Sequence, residues 1–251
     1  MRQFEKRSHW FENMEPGYRR WTHPKGLERF GIVVKQTDLW VAAERRWEKD
    51  VRDLVLSARH GLEQYIKNHP EFVTSLSPLP PDPLAPPMVK EMLEAARLSG
   101  VGPMAAVAGA IAQFVGQGLL RKTSQVIVEN GGDIFLATKE EVTVKLWAGT
   151  SPFGQRLGLS IPSELMPLGV CSSSATVGHS LSFGRTDLVT VMAESAPLAD
   201  AAATALGNKV KGKEDIKAAI EWGRKRPWIK GIVLILNETL ATWGEVELVE
   251  L

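Results

Sequence analysis

Apolar and polar positions change their period several times along the chain, and each change marks an element. In residues 30–42 two apolar runs flank Gln36-Thr37-Asp38, which predicts a β-hairpin. From residue 44 to 68 the apolar positions Trp47, Val51, Leu54, Val55, Ala58, Leu62, Tyr65 and Ile66 recur at helical spacing. That pattern predicts a long amphipathic helix with one buried face. Residues 75–87 carry prolines at 78, 80, 81, 83, 86 and 87. Proline lacks the N–H and clashes with the preceding turn, so the segment reads as an extended, semi-rigid connection. Its other reading is a ligand for a proline-recognition module. A helix is predicted over 88–99, broken by Gly100-Val-Gly-Pro, and a second over 104–120, rich in alanine and glycine.

Beyond it, residues 124–130 and 133–137 flank Gly131-Gly132 as strand, tight turn, strand. Strands are expected at 142–147, 156–161 and 187–193, with a serine- and glycine-rich segment at 168–183. Helices are expected at 197–210 and 213–224, and residues 229–237 and 243–249 read as a closing hairpin. Strand pairs follow one another with helices inserted between hairpins. That order argues α+β with a largely antiparallel sheet, not βαβ alternation around a parallel one. One domain over 1–251 is expected, and the order permits a duplicated architecture with halves of about 1–100 and 101–251.

Composition narrows the function classes. The chain has 251 residues, 44% of them hydrophobic, which is ample material for a core. Net charge is +1, so nothing pulls it globally toward nucleic acid or an anionic membrane. A single cysteine, Cys171, excludes an internal disulfide and a multi-cysteine metal site. No signal-peptide-like apolar core stands near the start, and no run of about 18 apolar residues exists, so cytoplasmic placement without a membrane span is expected. Eight tryptophans admit either a core role or an apolar surface that a second copy would cover, as in a homo-oligomer.

Three constellations can carry chemistry. In Glu129-Asn-Gly-Gly-Asp133 two glycines let the backbone take positive φ and approach a ligand, while Asp133 can bind a hydroxyl or orient a side chain. The plain alternative is a glycine hairpin with polar flanks. In the segment from Val170 through Cys171 to His179, hydroxyls and backbone N–H groups can wrap phosphates, and His179 can serve as general base. Cys171 reads either as a nucleophile or as a buried structural thiol. In Ala199-Asp-Ala-Ala-Ala-Thr-Ala-Leu-Gly-Asn208, Asp200 and Thr204 stand one helical turn apart on one side. A carboxylate and a hydroxyl so spaced suit a hard cation such as Mg²⁺, or are merely a helix-terminal charge and a neutral threonine.

Together these segments resemble the superfamily of FAD:protein FMN transferases, known as ApbE, and more closely an uncharacterised ApbE-like branch of archaea and anaerobic bacteria. The carrying residues are Gly102-Pro-Met-Ala-Ala-Val-Ala-Gly-Ala-Ile-Ala, Glu129-Asn-Gly-Gly-Asp-Ile, Gly169-Val-Cys-Ser-Ser-Ser-Ala-Thr-Val-Gly-His-Ser-Leu-Ser-Phe-Gly and Ala199-Asp-Ala-Ala-Ala-Thr-Ala-Leu-Gly-Asn. Tyr18-Arg-Arg and Thr37-Asp-Leu extend the likeness to the branch. The resemblance implies a duplicated T-fold unit and a small anionic ligand: FAD or FMN, with Mg²⁺ on the pyrophosphate. It implies that Gly131, Gly132, Asp133, Ser172, Ser173, Ser174 and Thr176 bind cofactor, and that Asp200 and Thr204 hold the metal. His179 and Asp133 take the catalytic roles in that reading. Two features of the transferases are missing: a lysine in the small-residue helix, where this chain has Ala108 to Gln113, and a His-x-x-Asp-Pro segment after His179. The sequence therefore leaves three functions open. They are a flavin or nucleotide enzyme, a binding protein without transferase activity in the sulfur metabolism of anaerobes, and an interaction module.

Overall fold

The computed structural model describes residues 26–154, 156–175 and 184–251. The chain enters as a hairpin of β1 (Glu28–Val34) and β2 (Thr37–Ala43). Helix α1 (Glu48–Asn68) buries Val51, Val55, Ala58 and Leu62, the stripe its spacing predicts. A short α2 (Glu71–Thr74) and the proline-rich stretch, which holds no regular element, lead to α3 (Pro87–Ser99). Pro87 opens α3 where its missing N–H is no loss, and Gly100 closes it in the left-handed region at φ 75°. A 3-10 turn, Pro103–Ala106, runs into α4 (Val107–Leu119).

Strands β3 (Val126–Asn130) and β4 (Asp133–Ala137) follow, then β5 (Val142–Leu146), β6 (Leu157–Ile161), β7 (Leu168–Ser173) and β8 (Leu188–Ala193). Helices α5 (Ala196–Lys209) and α6 (Ile216–Arg224) precede β9 (Ile229–Leu236), β10 (Thr239–Gly244) and β11 (Glu247–Glu250).

Eight strands make one sheet in the order β1-β2-β3-β4-β7-β8-β9-β10, with every neighbouring pair antiparallel. Within it the chain runs hairpin, helices, hairpin, and then repeats that order. The expected α+β class with a large antiparallel sheet is what the chain forms. Strands β11, β6 and β5 build a separate three-stranded sheet. Successive side chains of a strand face opposite ways. Leu39, Val41, Val128 and Phe135 therefore join the helices in one core, while Trp40, Ile127, Leu136 and Val170 join Val144, Leu159 and Ile161 of the small sheet in another. Burial on both faces is why these strands read as nearly continuous apolar runs.

Two expectations need correction. Residues 168–173 read as part of a serine- and glycine-rich segment without a strand, but they form a central strand. Its helix-facing positions are small because α5 lies directly on it: a Cβ on Gly169 would stand 2.3 Å from Ala196 Cα. The closing hairpin pairs β9 with β10, so of the expected strand 243–249 only Trp243 and Gly244 pair with β9. The backbone turns at Gly244, φ 87°, and sends β11 to the small sheet. Among the described residues no single helix is long and apolar enough to cross a membrane.

Candidate functional site

Helix α5 is capped by Ser195, whose hydroxyl accepts the Leu198 N–H at 3.4 Å. Small residues let α5 pack closely. A Cβ on Gly109 of α4 would lie 2.4 Å from Ala196 O and 3.0 Å from Asp200 Cβ. Gln113, in the stretch where the transferases carry lysine, pins the crossing: its Oε1 accepts the Ala196 N–H at 2.8 Å, and its Nε2 donates to Glu91 at 3.1 Å. Against this apolar background Asp200, Thr204 and Asn208 recur every fourth residue as one polar stripe.

All three stripe residues line a cleft of about 690 Å³. Asp133, the first residue of β4, lines it too, as do Ser99 at the end of α3, Gly102 beyond it, Leu76 of the proline-rich connection, and Lys209. The cleft thus sits where α3, the start of α4 and α5 diverge over the β3–β4 turn. That turn is a two-glycine hairpin closed by the Asn130–Asp133 pair. Gly131 and Gly132 take φ of 67° and 105°, values that need glycine. The Glu129 carboxylate accepts the Gly132 N–H at 3.1 Å, and Asn130 Nδ2 donates to Ala108 O at 3.1 Å, tying the turn to the start of α4.

The electrostatics centre on two carboxylates. Asp200 is half-buried, and its Oδ2 accepts the Gly109 N–H at 3.0 Å. Burial pushes its pKa up to about 7, against the pull of the Gly109 and Ala108 N–H groups at the positive end of α4. Asp133 is buried and accepts the Ser172 N–H at 3.3 Å. Burial first, then the charge of Asp200, holds its carboxyl well above the usual carboxylate range. Among the described residues neither carboxylate has an ion-pair partner.

The expected site residues separate as follows. Asp133, Asp200 and Thr204 meet in the cleft; Gly131 and Gly132 shape the turn beside it and are not among its lining residues. Ser173 is buried on the helix-facing side of β7, within reach of Gly207. Ser172 sends its hydroxyl to the opposite face, where it meets Thr190 Oγ1 at 2.9 Å; only its backbone N–H serves the site. Ser174 follows β7, half-buried. Thr176, His179 and the Tyr18-Arg-Arg segment lie outside the described residues. Cys171 is fully buried and donates to Ala196 O at 3.3 Å. Burial, then the charges of Asp133 and Asp200, push its thiol well up, which suits a structural role and not a nucleophile. The sequence reading missed Ser99, Asn208 and Lys209. Asn208 alone had a signal, as the third member of the four-residue stripe.

Among the described residues no three His, Cys, Asp or Glu side chains gather around one point. A transition-metal cage is therefore not built from them. Two carboxylates and a hydroxyl facing one cleft instead suit Mg²⁺, which keeps several waters and rests on one or two carboxylates plus ligand phosphates. The fit has a second support: a cation would relieve the mutual repulsion of two carboxylates without a basic partner.

Comparison with known proteins agrees with this architecture. Residues 19–246 match the family described as AbpE bacteria. A UPF0280 protein of Methanocaldococcus jannaschii is 39% identical over 86% of this chain and 90% of its own length. One from Methanothermobacter thermautotrophicus is 40% identical, covering 86% and 85%. In fold, the chain is similar to the flavin transferase ApbE of Vibrio cholerae, with a TM-score of 0.55 at 13% identity over 88% of this chain and 97% of that one. The apo flavinyl transferase ApbE of Pseudomonas stutzeri gives 0.57 at 13%, covering 89% and 95%.

Proposed function

The chain belongs to the AbpE bacteria family, and on that premise we propose that its cleft binds a phosphate-bearing ligand, a flavin nucleotide, together with Mg²⁺. The observation that carries the reading is the carboxylate pair. Asp133 and Asp200 line one cleft, are both pushed toward protonation by burial, and have no basic partner among the described residues. Asp200 and Thr204 would hold the cation, and Asp133 would orient the ligand or the water around the metal. Bound there, Mg²⁺ would neutralise pyrophosphate charge.

The residues of the chain do the positioning. Gln113 and Gly109 fix the crossing of α4 and α5, so that Asp200 is held against the N–H groups of Ala108 and Gly109. The Gly131-Gly132 turn fixes Asp133 at the start of β4. Flavin transfer to a protein hydroxyl is the activity this reading points to, with FAD as donor. The repeated hairpin–helices–hairpin order supports a duplicated T-fold-like unit beneath the site. A second reading keeps ligand binding and drops transfer. It is favoured by Gln113, which is committed to Ala196 and Glu91 in the stretch where the transferases carry lysine.

Titration of the purified protein with FAD, with and without Mg²⁺, tests the proposal. Tight binding that needs Mg²⁺ is expected, and Asp200→Ala should weaken it at least about tenfold while the protein stays folded. Equal binding by that variant sinks the metal assignment. Incubation of FAD with a Ser/Thr target peptide then separates the two readings by whether FMN becomes covalently attached.

A further inference from the structure

A second compartment, of about 350 Å³, adjoins the cleft, and Met104, Val107 and Ala108 line both. Its other wall is α1 and the β1–β2 turn. Leu62, Ile66 and Ile111 give it apolar sides. Arg59 brings a guanidinium whose two outer nitrogens are committed. Nη1 donates to Thr37 Oγ1 at 2.8 Å, and Nη2 donates to Gln36 Oε1 at 2.8 Å and Glu63 Oε1 at 2.9 Å. These bonds fix the fork, yet Nε is buried with no acceptor among the described residues. A buried donor left unpaired costs its full desolvation, so an acceptor from a ligand would be favoured there. Asn130 lines the same compartment and spends Nδ2 on Ala108 O at 3.1 Å, which leaves its Oδ1 as an acceptor.

We infer that this compartment seats the planar nitrogen heterocycle of a nucleotide whose phosphates lie at Asp133 and Asp200. The inference rests on the phosphate reading of the cleft. A volume of 350 Å³ stands at the lower end for ligand pockets, suited to one ring system and not to a whole dinucleotide. Isoalloxazine and adenine share the needed chemistry. Each has ring nitrogen or carbonyl acceptors for Arg59 Nε, an N–H for Asn130 Oδ1, and flat apolar faces for Leu62, Ile66 and Ile111. Phosphate has no apolar face to offer these walls, and Arg59 already shares its Nη2 with the Glu63 carboxylate.

The test is calorimetric titration of the wild type, Arg59→Leu and Ile66→Trp with FMN, ADP and inorganic pyrophosphate, all with Mg²⁺. Ile66→Trp adds bulk to the compartment and leaves every Arg59 contact in place, so it covers the case in which Arg59→Leu fails to fold. Both variants are expected to weaken one nucleotide about tenfold, as for one lost buried hydrogen bond or an occluded ring site, with pyrophosphate affinity unchanged. Whether FMN or ADP carries the loss identifies the ring. Nucleotide binding equal to wild type in both variants overturns the compartment and leaves the cleft reading standing. A parallel loss of pyrophosphate overturns it too, because Arg59 would then serve the phosphates. A wild type that binds none of the three removes the cleft reading, and this inference with it.

Discussion

The two faces of the eight-stranded sheet are cut from the same strands, residue by residue. Ile127, Leu136 and Val170 turn to the small sheet; Val128, Phe135 and Cys171, their immediate neighbours, turn to the helices. Toward the small sheet the polar side chains Ser172 and Thr190 bond each other. On the helix side the polar side chains Asp133 and Asp200 meet no cation among the described residues and open onto a cleft. Apart from Asp133 at the start of β4, the difference does not come from the strands. It comes from the cover. The small sheet closes over its face, whereas α3, α4 and α5 diverge near the β3–β4 turn, where α5 presents a polar stripe. Site and core are thus separable by face, which single substitutions can test.

Leu136→Ala strikes the face toward the small sheet at a fully buried position. It should cost about 2–5 kcal/mol in urea unfolding, the range for an emptied leucine site. Flavin affinity of the folded protein should not move, since the lost side chain faces away from the cleft. An affinity that fell with stability would show the two faces to be coupled.

Gly109→Ala strikes the helix side. Its new methyl would stand 2.4 Å from Ala196 O, and backbone cannot step aside as a side chain can. Forcing α4 and α5 apart should cost about 1–3 kcal/mol. Because Asp200 Oδ2 accepts the N–H of this same residue, Mg²⁺-dependent ligand binding should fall as well. Together, melting temperature and titration separate this double effect from the single one of Leu136→Ala. Lost stability with unchanged binding would show that Asp200 needs no fixed crossing.

Much of this contrast was readable from residue order. The alternation around Gly131-Gly132, the stripe of α1 and the Asp200–Thr204 spacing each act locally, so period and turn chemistry reveal them. What escaped depended on distant contacts. β7 looked like a loop because its small residues answer to Ala196, more than twenty positions away. β5, β6 and β11 left the main sheet for a reason local pattern does not encode: 247–250 pairs with 157–160 across most of the second half. The Ser172 hydroxyl joined the candidate site by adjacency in sequence, but strand alternation sends it to the other face. Arg59 gave no signal, since one arginine on an amphipathic helix resembles any solvated charge until the β1–β2 turn folds against it.

The carboxylate pair gives the finest test of the comparison, through pH. Asp200 has an ordinary value of 3.8 and is raised to about 7 in the fold, and Asp133 is raised alongside it. An acid whose pKa rises on folding holds its proton better when folded, so stability falls as pH climbs from about 4 toward 7. Glu44, Glu63, Asp82 and Glu94, lowered chiefly by hydrogen bonds, act with the opposite sign. Their contribution is complete once the pH stands above their unfolded values, so they leave the window from 5 to 7 clear. Glu91, raised by burial, shares the sign of the pair, which makes a variant the proper reference. In metal-free buffer the wild type should lose on the order of 1 kcal/mol more than Asp200→Asn between pH 5 and 7, read from urea midpoints. The asparagine oxygen still accepts the Gly109 N–H, so the charge alone is removed. Saturating Mg²⁺ should restore the neutral-pH stability of the wild type and leave the variant unmoved. Two superimposable profiles would mean that Asp200 is as well solvated as a surface acid, and the helix side would then differ from its opposite in shape alone.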